Sequence, residues 1–420
     1  MNNNIIRTSI FSLLSLSAFA QGGATDQDLQ LNTITTAVPF ASITPDSRAG
    51  GMGDAGTALS ASSTSIYWGT AMLSFAEEKS EISLSYTPWL RQLTNDIHLS
   101  YLSGYYRVNE RHSVGGALRY FSLGEITFTD ASGNVIRDDK PAEFELTGGY
   151  AFKLTDRMSV GMNGKFIYSN LTGGLTINGV DTRAGVAGAA DLSFAYSNDD
   201  AKIGKTKGVY TFAATINNVG NKIVYSSANA ENRDFLPMNL KIGNSFTAKY
   251  DAYNKVTFSV DLQKLLVPTP QKAEKISSSE VYVFGQPNNV GVIAGMLQSF
   301  TDAPGELAQD ASGNFISDGN GGYEIQKGSR LKEELSEINI AAGLEYWYNN
   351  VFAIRSGFFY EHPTKGNRQF VNFGAGLKYN KFGIDISYLA ALKRQNPLAN
   401  TLRFTLRFSL DSKGTATPAQ

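Results

Sequence analysis

The sequence contains no cysteine. Disulfides, thiolate metal sites, a cysteine nucleophile and an acylated N-terminal cysteine are therefore excluded. Histidine is nearly missing: His98, His112 and His362 are the full set of three. Neither H-E-x-x-H nor G-x-S-x-G occurs, so no local motif supports zinc hydrolysis or a serine elbow. His98 lies near Ser100 and Ser103, but a nucleophile and base must be shown within hydrogen-bond reach, and we expect no enzyme. Charge of one sign is also lacking, with 37 basic against 38 acidic side chains and a net charge of -1. Nucleic-acid binding, which needs a basic patch or stripe, gains no support. Beyond the N-terminus no run of about 18 apolar residues exists, so no helix can cross a bilayer. A mean hydropathy of -0.19 reads as water-soluble, but averaging conceals alternation, and membrane strands give weak hydropathy signals.

What is present is alternation. In Thr401–Leu410, Leu402, Phe404, Leu406, Phe408 and Leu410 share one face, while Thr401, Arg403, Thr405, Arg407 and Ser409 share the other. Side chains alternate across a strand, and the segment has about the length of a tilted membrane strand, roughly 9–11 residues. Period-two reading gives fourteen such segments: Lys79–Tyr86, Ile97–Arg107, Ser113–Leu123, Glu143–Phe152, Met158–Tyr168, Gly185–Tyr196 and Tyr210–Asn217, then Leu236–Ala248, Lys255–Gln263, Glu337–Tyr348, Phe352–Glu361, Gln369–Tyr379, Phe382–Leu389 and Thr401–Leu410. Links after even-numbered segments are short, although Ser197–Val209 is longer, and links after odd-numbered segments are long. Outer-membrane barrels have short periplasmic turns and long external loops. Hydrocarbon cannot satisfy exposed backbone groups, so a spanning sheet must close on itself. The expected fold is an all-β, fourteen-stranded antiparallel transmembrane barrel. Its even strand number places both termini in the periplasm. Inward charges such as Asp191, Arg355, Asp385, Arg403 and Arg407 are expected to line a solvated lumen.

Residues 1–20 read as a signal peptide: Arg7 is the positive region, Ile10–Phe19 the apolar one, and Ala18-Phe19-Ala20 the cleavage site,. Residues 21–78 read as a plug or periplasmic segment, 79–410 as the barrel, and 411–420 as a tail. Gly51-Met52-Gly53-Asp54-Ala55-Gly56 matches G-x-G-x-x-G, yet no βαβ unit surrounds it, so no nucleotide cofactor is expected. With Arg48, these residues (Gly51, Met52, Gly53, Asp54) are candidates for tight packing of a plug inside the barrel. Residues 264–336 are too long for a structureless loop without a function or disorder. This loop holds an apolar run, Val290–Phe300, two disorder-like stretches and an acidic run at Glu333-Glu334. An exposed apolar run must be covered by the lumen mouth or a partner. Asp310-Ala311-Ser312-Gly313-Asn314 and its echo at Asp130–Asn134 lack EF-hand spacing and read as turns. No metal site is expected.

Pro45–Gly56, Tyr120–Gly124, Gln298–Gly305 and Asn396–Phe404 resemble signatures of the PorV family, a branch of the FadL-like barrels. Tyr67-Trp68-Gly69-Thr70-Ala71 departs from the family's usual W-N-P-A at that place. The resemblance implies an outer-membrane, non-enzymatic component of the type IX secretion system. It implies binding to a large translocon barrel, to cargo proteins through their C-terminal signal domains, and to a surface attachment complex. Outer-membrane lipid would meet the outer wall. Cargo or partner contact is expected on Met296, Gln298, Ser299, Phe300, Asp302 and Pro304. The competing expectation is a FadL-like channel for hydrophobic small molecules.

Overall fold

A computed structural model describes residues 31–410, apart from 92–93, 95, 130–131, 172–173, 175, 178–179, 227–232, 278–279 and 393–397. The expected signal peptide, residues 21–30 and the tail lie outside the described residues, as do Asp130, Ala131, Asn396 and Pro397. The described chain is a closed, fourteen-stranded antiparallel barrel in which consecutive wall strands pair and the last pairs with the first. The strands are β1 (Ser80–Pro88), β2 (Ile97–Arg107), β3 (His112–Leu123), β4 (Ala142–Lys153), β5 (Met158–Asn170), β6 (Gly185–Ile203) and β7 (Thr206–Gly220). They continue with β8 (Asn239–Lys249), β9 (Asn254–Leu265), β10 (Ile338–Tyr348), β11 (Phe352–Tyr360), β12 (Gln369–Tyr379), β13 (Phe382–Ala391) and β14 (Thr401–Ser409). Closure leaves the wall without an open sheet edge, as hydrocarbon demands,.

The faces follow the alternation. Phe404 and Leu406 are exposed on the outer wall, while Thr401, Arg403 and Thr405 are buried inside. Leu406 lies level with Leu84 of β1 and Ile384 of β13, both exposed, which makes a continuous apolar skin. Short turns close the periplasmic end, where Asn349, Asn350 and Asn380 take positive φ, a conformation Asn tolerates better than most residues.

Most strand ends shift slightly from the sequence pattern, and two places show why. The expected link Ser197–Val209 is mostly strand: β6 and β7 run on to a Gly204-Lys205 turn, with Lys202 opposite Lys207. The run Asn198-Asp199-Asp200 hid it, because these polar residues interrupt the apolar alternation. Leu236 is buried ahead of β8, which begins only at Asn239. Pro237 offers no N–H to a ladder there.

Residues 32–76 fill the lumen. The backbone amide of Asn32 donates to the Thr364 carbonyl at the long-loop rim (3.0 Å). Phe40 stacks on Phe121 near the outer end of β3 (6.2 Å between rings). Ala71 meets Ser159 and Ser193 lower down, and the Ala76 carbonyl accepts from Arg107 at the short-turn end (2.7 Å). This chain therefore traverses the bore from outer rim to periplasmic rim. The segment expected as a plug or periplasmic stretch thus runs along the bore in its described part, ahead of β1, which pairs with β14.

Candidate functional site

Two regions carry chemistry-bearing side chains: the lumen and the outer loop. In the lumen, Ser47–Gly51 forms a short helix, α1, capped by Asp46, which accepts from the Ala49 amide (2.9 Å) and from Trp68 Nε1 (2.7 Å). Trp68 ends a second short helix, α2 (Ser65–Trp68), in the stretch that departs from the family pattern. Helix α1 presents Arg48 to Glu345 of β10 through two bonds of 3.0 and 2.8 Å. Such a two-pronged pair fixes orientation as well as charge. Glu345 also accepts from Arg355 (2.7 Å), which donates in turn to Asp385 (2.7 Å), and Asp385 accepts from Arg407 (2.9 Å). Asp54 receives Arg403 (3.1 Å). On the opposite wall Lys165 pairs with Asp191 (3.0 Å).

The expected solvated lining is thus a buried, paired one. The polar bore needs counter-charges because ions removed from water are costly unless matched, and the inserted chain supplies several of them. The candidate residues Gly51 and Gly53 explain themselves by approach distance. A Cβ on Gly53 (φ +71°) would meet the Phe358 nitrogen at 2.4 Å, and one on Gly51 would meet the Gly374 Cα at 3.1 Å. Met52 is fully buried against Gly343 and Gly357 of the wall. The small-residue motif therefore serves contact between backbones. Beside Asp46, Arg48, Leu59 and Trp68 a void of about 10 Å³ remains, room for about one water.

The outer loop between β9 and β10 is ordered in its described residues. It carries a small hairpin (Lys272–Lys275 with Val281–Phe284), helix α3 (Val292–Gln298) and helix α4 (Ser329–Ser336). A buried ionic cluster pins it to the rim. Lys264 donates to Glu337 (2.6 Å), Lys365 bridges Glu337 (3.0 Å) and Glu333 (2.8 Å), and Lys272 reaches Glu333 (2.9 Å). Glu333 also accepts from the Gly305 amide (2.9 Å) and from Asn32 Nδ2 (3.2 Å), tying loop and lumenal chain together. Burial raises the Glu333 carboxyl, but hydrogen bonds from Lys365 and Lys272 outweigh it and hold the group below its ordinary range. Burial pushes Asp302 and Glu334 up.

Of the six expected contact residues, Ser299, Asp302 and Pro304 are buried. Asp302 accepts from the Thr269 amide (3.0 Å), and Ser299 bonds the Met296 carbonyl (2.8 Å). Met296 packs on Phe235, Met238, Leu266 and Val267. Gln298 is half-buried and donates to the Pro287 carbonyl (3.0 Å). Phe300 is exposed, together with Ile293 and Leu297 of α3. Sequence reasoning missed Ile293 and Leu297, although their i, i+4 spacing with Phe300 at i+7 is the signal for one shared helix face. His98 faces outward between the rings of Tyr86 and Tyr120, whereas Ser103 turns inward to Ser83 (2.9 Å). Asp310 closes its own turn onto the amides of Ser312 and Asn314 (2.8 and 2.9 Å).

A closed fourteen-strand wall with an apolar outer skin, polar bore and inserted N-terminal chain defines an outer-membrane β-barrel,. The family model for the type IX secretion system protein PorV matches residues 25–272. The chain belongs to the PorV family and is an outer-membrane component of the type IX secretion system. No curated protein sequence matches the chain significantly. Similar solved structures include the toluene transporter TbuX of Ralstonia pickettii, with 12% identity over 87% of this chain and 96% of that one, at a TM-score of 0.43. The toluene transporter TodX of Pseudomonas putida shares 12% over 90% and 98%, at 0.45. A FadL homologue of Pseudomonas aeruginosa shares 10% over 91% and 100%, at 0.40.

Proposed function

We propose that the chain is a non-enzymatic carrier subunit of the secretion system. It docks on the very large translocon barrel, collects folded cargo through the cargo's C-terminal signal domain, and hands it to a surface attachment complex. The observation that supports this reading is the construction of the outer loop. A buried ionic cluster holds the loop firmly on the rim, while α3 turns Val292 and Met296 inward and leaves Ile293, Leu297 and Phe300 uncovered. Rigid apolar anchors lose little freedom on binding and suit protein contact. Asp302, Ser299 and Pro304 then act by seating the loop. Residues 32–76 act as a plug, so the barrel serves as a docking platform and cargo travels outside its bore. A channel for hydrophobic solutes needs an apolar bore, whereas this one is packed with hydroxyl groups and ion pairs.

The test replaces Ile293, Leu297 and Phe300 together by Ser and measures cargo recovered on the purified, heat-modifiable barrel. Loss of cargo with an intact barrel is expected. Normal cargo recovery defeats the loop assignment.

A further inference from the structure

Helix α4 (Ser329–Ser336) carries one buried polar face and one open apolar face. Ser329, Glu333 and Glu337, spaced four apart, are all buried. Ser329 accepts from the Glu306 amide (3.0 Å), and Glu333 accepts from Asn32 of the lumenal chain (3.2 Å). That row of the helix therefore looks toward the bore. Two residues on is a rotation of about 200°, so Leu331 and Leu335 point away from it. They are 65% and 59% exposed. Arg330 and Lys332 flank Leu331 and are exposed as well. The helix's two acids are turned elsewhere, Glu333 to Lys365 and Lys272 and Glu334 to Lys264. Its open side thus presents leucines between cations.

Only Glu337 separates α4 from β10, whose outward Ile340 and Leu344 are exposed parts of the lipid-facing skin. Ile340 lies opposite Tyr360 of β11. Tyr86, Tyr120 and Tyr388 are exposed near the same outer ends of β1, β3 and β13. Such an aromatic belt marks a membrane interface. The three steps from Ile340 back to Glu337 rise at most about 10 Å, which puts the end of α4 at the headgroup level. Amphipathic helices rest at that level with leucines in the acyl boundary and basic residues at the phosphates. Helix α3 differs on both counts, since it carries no charged residue and leads into no wall strand.

We propose that α4 is an interfacial anchor seated in the outer leaflet. Leu331 and Leu335 enter the acyl boundary as a continuation of the β10 skin, and Arg330 and Lys332 meet lipid phosphates. This goes beyond the carrier role and does not rest on it. The anchor holds the outer loop from the membrane side while the ionic cluster holds it to the rim. The open face of α3 is thereby kept at one height above the leaflet.

The experiment uses the full-length barrel folded into vesicles of phosphatidylcholine and phosphatidylglycerol. Single cysteines, Leu331→Cys, Leu335→Cys, Leu406→Cys on the outer wall and Ser312→Cys in the exposed Asp310 turn, each carry a bimane fluorophore. A phosphatidylcholine bearing a nitroxide near its ester bonds quenches labels in the acyl boundary, and iodide quenches labels in water. The labels at positions 331 and 335 should be quenched by the nitroxide lipid at least about half as strongly as that at 406. Iodide should reach them several-fold less than the label at 312. Adding Arg330→Gln and Lys332→Gln to Leu335→Cys should weaken the lipid quenching. Heat modifiability confirms that each variant has folded. Labels at 331 and 335 that respond to both quenchers as the one at 312 does overturn the anchor. So do labels that iodide reaches freely in vesicles but not in native outer membranes, a result that assigns the face to a protein partner. Lipid quenching unchanged by the Arg330 and Lys332 substitutions overturns the phosphate contact.

Discussion

Replacing Leu406 by Arg puts a cation on the apolar skin of β14. Leu406 is 54% exposed in the isolated chain, and its register neighbours Leu84 and Ile384 are apolar and exposed too. It lies near the middle of a nine-residue strand, so the full midplane cost applies, about 2–4 kcal/mol. That corresponds to a roughly 30- to 700-fold loss in the folding equilibrium. The adjacent inward residue gives the contrast. Thr405 accepts from the Ser47 amide (2.9 Å) and bonds Ser85 (2.9 Å). Thr405→Val leaves a buried donor unmatched at about 1–3 kcal/mol. Because the bore is packed, Thr405→Arg is not the harmless substitution a solvated lumen would allow. Folding into phosphatidylcholine vesicles, followed by denaturant titration, measures both variants. If Leu406→Arg changes stability by less than about 0.5 kcal/mol, as at an ordinary wet surface, the outer wall does not face lipid and the membrane assignment is refuted.

Glu345→Gln should destabilise the barrel by about 3–5 kcal/mol, since Arg48 and Arg355 then remain buried with a lost partner. Thermal unfolding in detergent checks this, and a melting point unchanged from wild type would contradict the pairing. The outer loop should loosen in acid. Glu333 has a depressed carboxyl, so its contribution is present above the ordinary value of 4.5 and is lost as pH falls through the lower folded value,. Asp302 and Glu334, which are raised, act with the opposite sign: their contribution is present below the unfolded value and fades as pH rises through the folded one,. Exchange of the Gly305 amide, corrected for its intrinsic rate, should therefore be slow at about pH 6 and faster near pH 3. Glu333→Gln should remove that acid step.

The wall was legible because lipid on one side and polar bore on the other impose strict alternation, as in Phe404, Thr405 and Leu406. Where that contrast ends, so does the signal: the polar run Ser197–Val209 concealed the ends of β6 and β7. The inward charges were visible as charges but not as pairs. Arg48 and Glu345 are separated by 297 positions, and no periodicity links residues that meet only after closure. Small residues around Gly51 and Gly53 spoke for close packing, yet their partner surface, Gly343, Gly357 and Gly374, is set by three different strands. The outer loop was hardest to read. Its apolar run is divided between a seated face and an exposed one, and its acidic run is turned inward onto Lys264 of β9, Lys272 of the same loop and Lys365 of the next outer loop.

The lumen-filling path of residues 32–76 is open to a direct test, because the cysteine-free chain allows single-site labelling. Thr33 is exposed at the long-loop rim, beside the Asn32 amide that binds the Thr364 carbonyl. Thr33→Cys in intact cells should react with a membrane-impermeant maleimide, whereas Lys205→Cys in the β6–β7 turn should react only after lysis. Labelling of Thr33→Cys solely in lysed cells would contradict a chain that enters the barrel from outside and descends to β1.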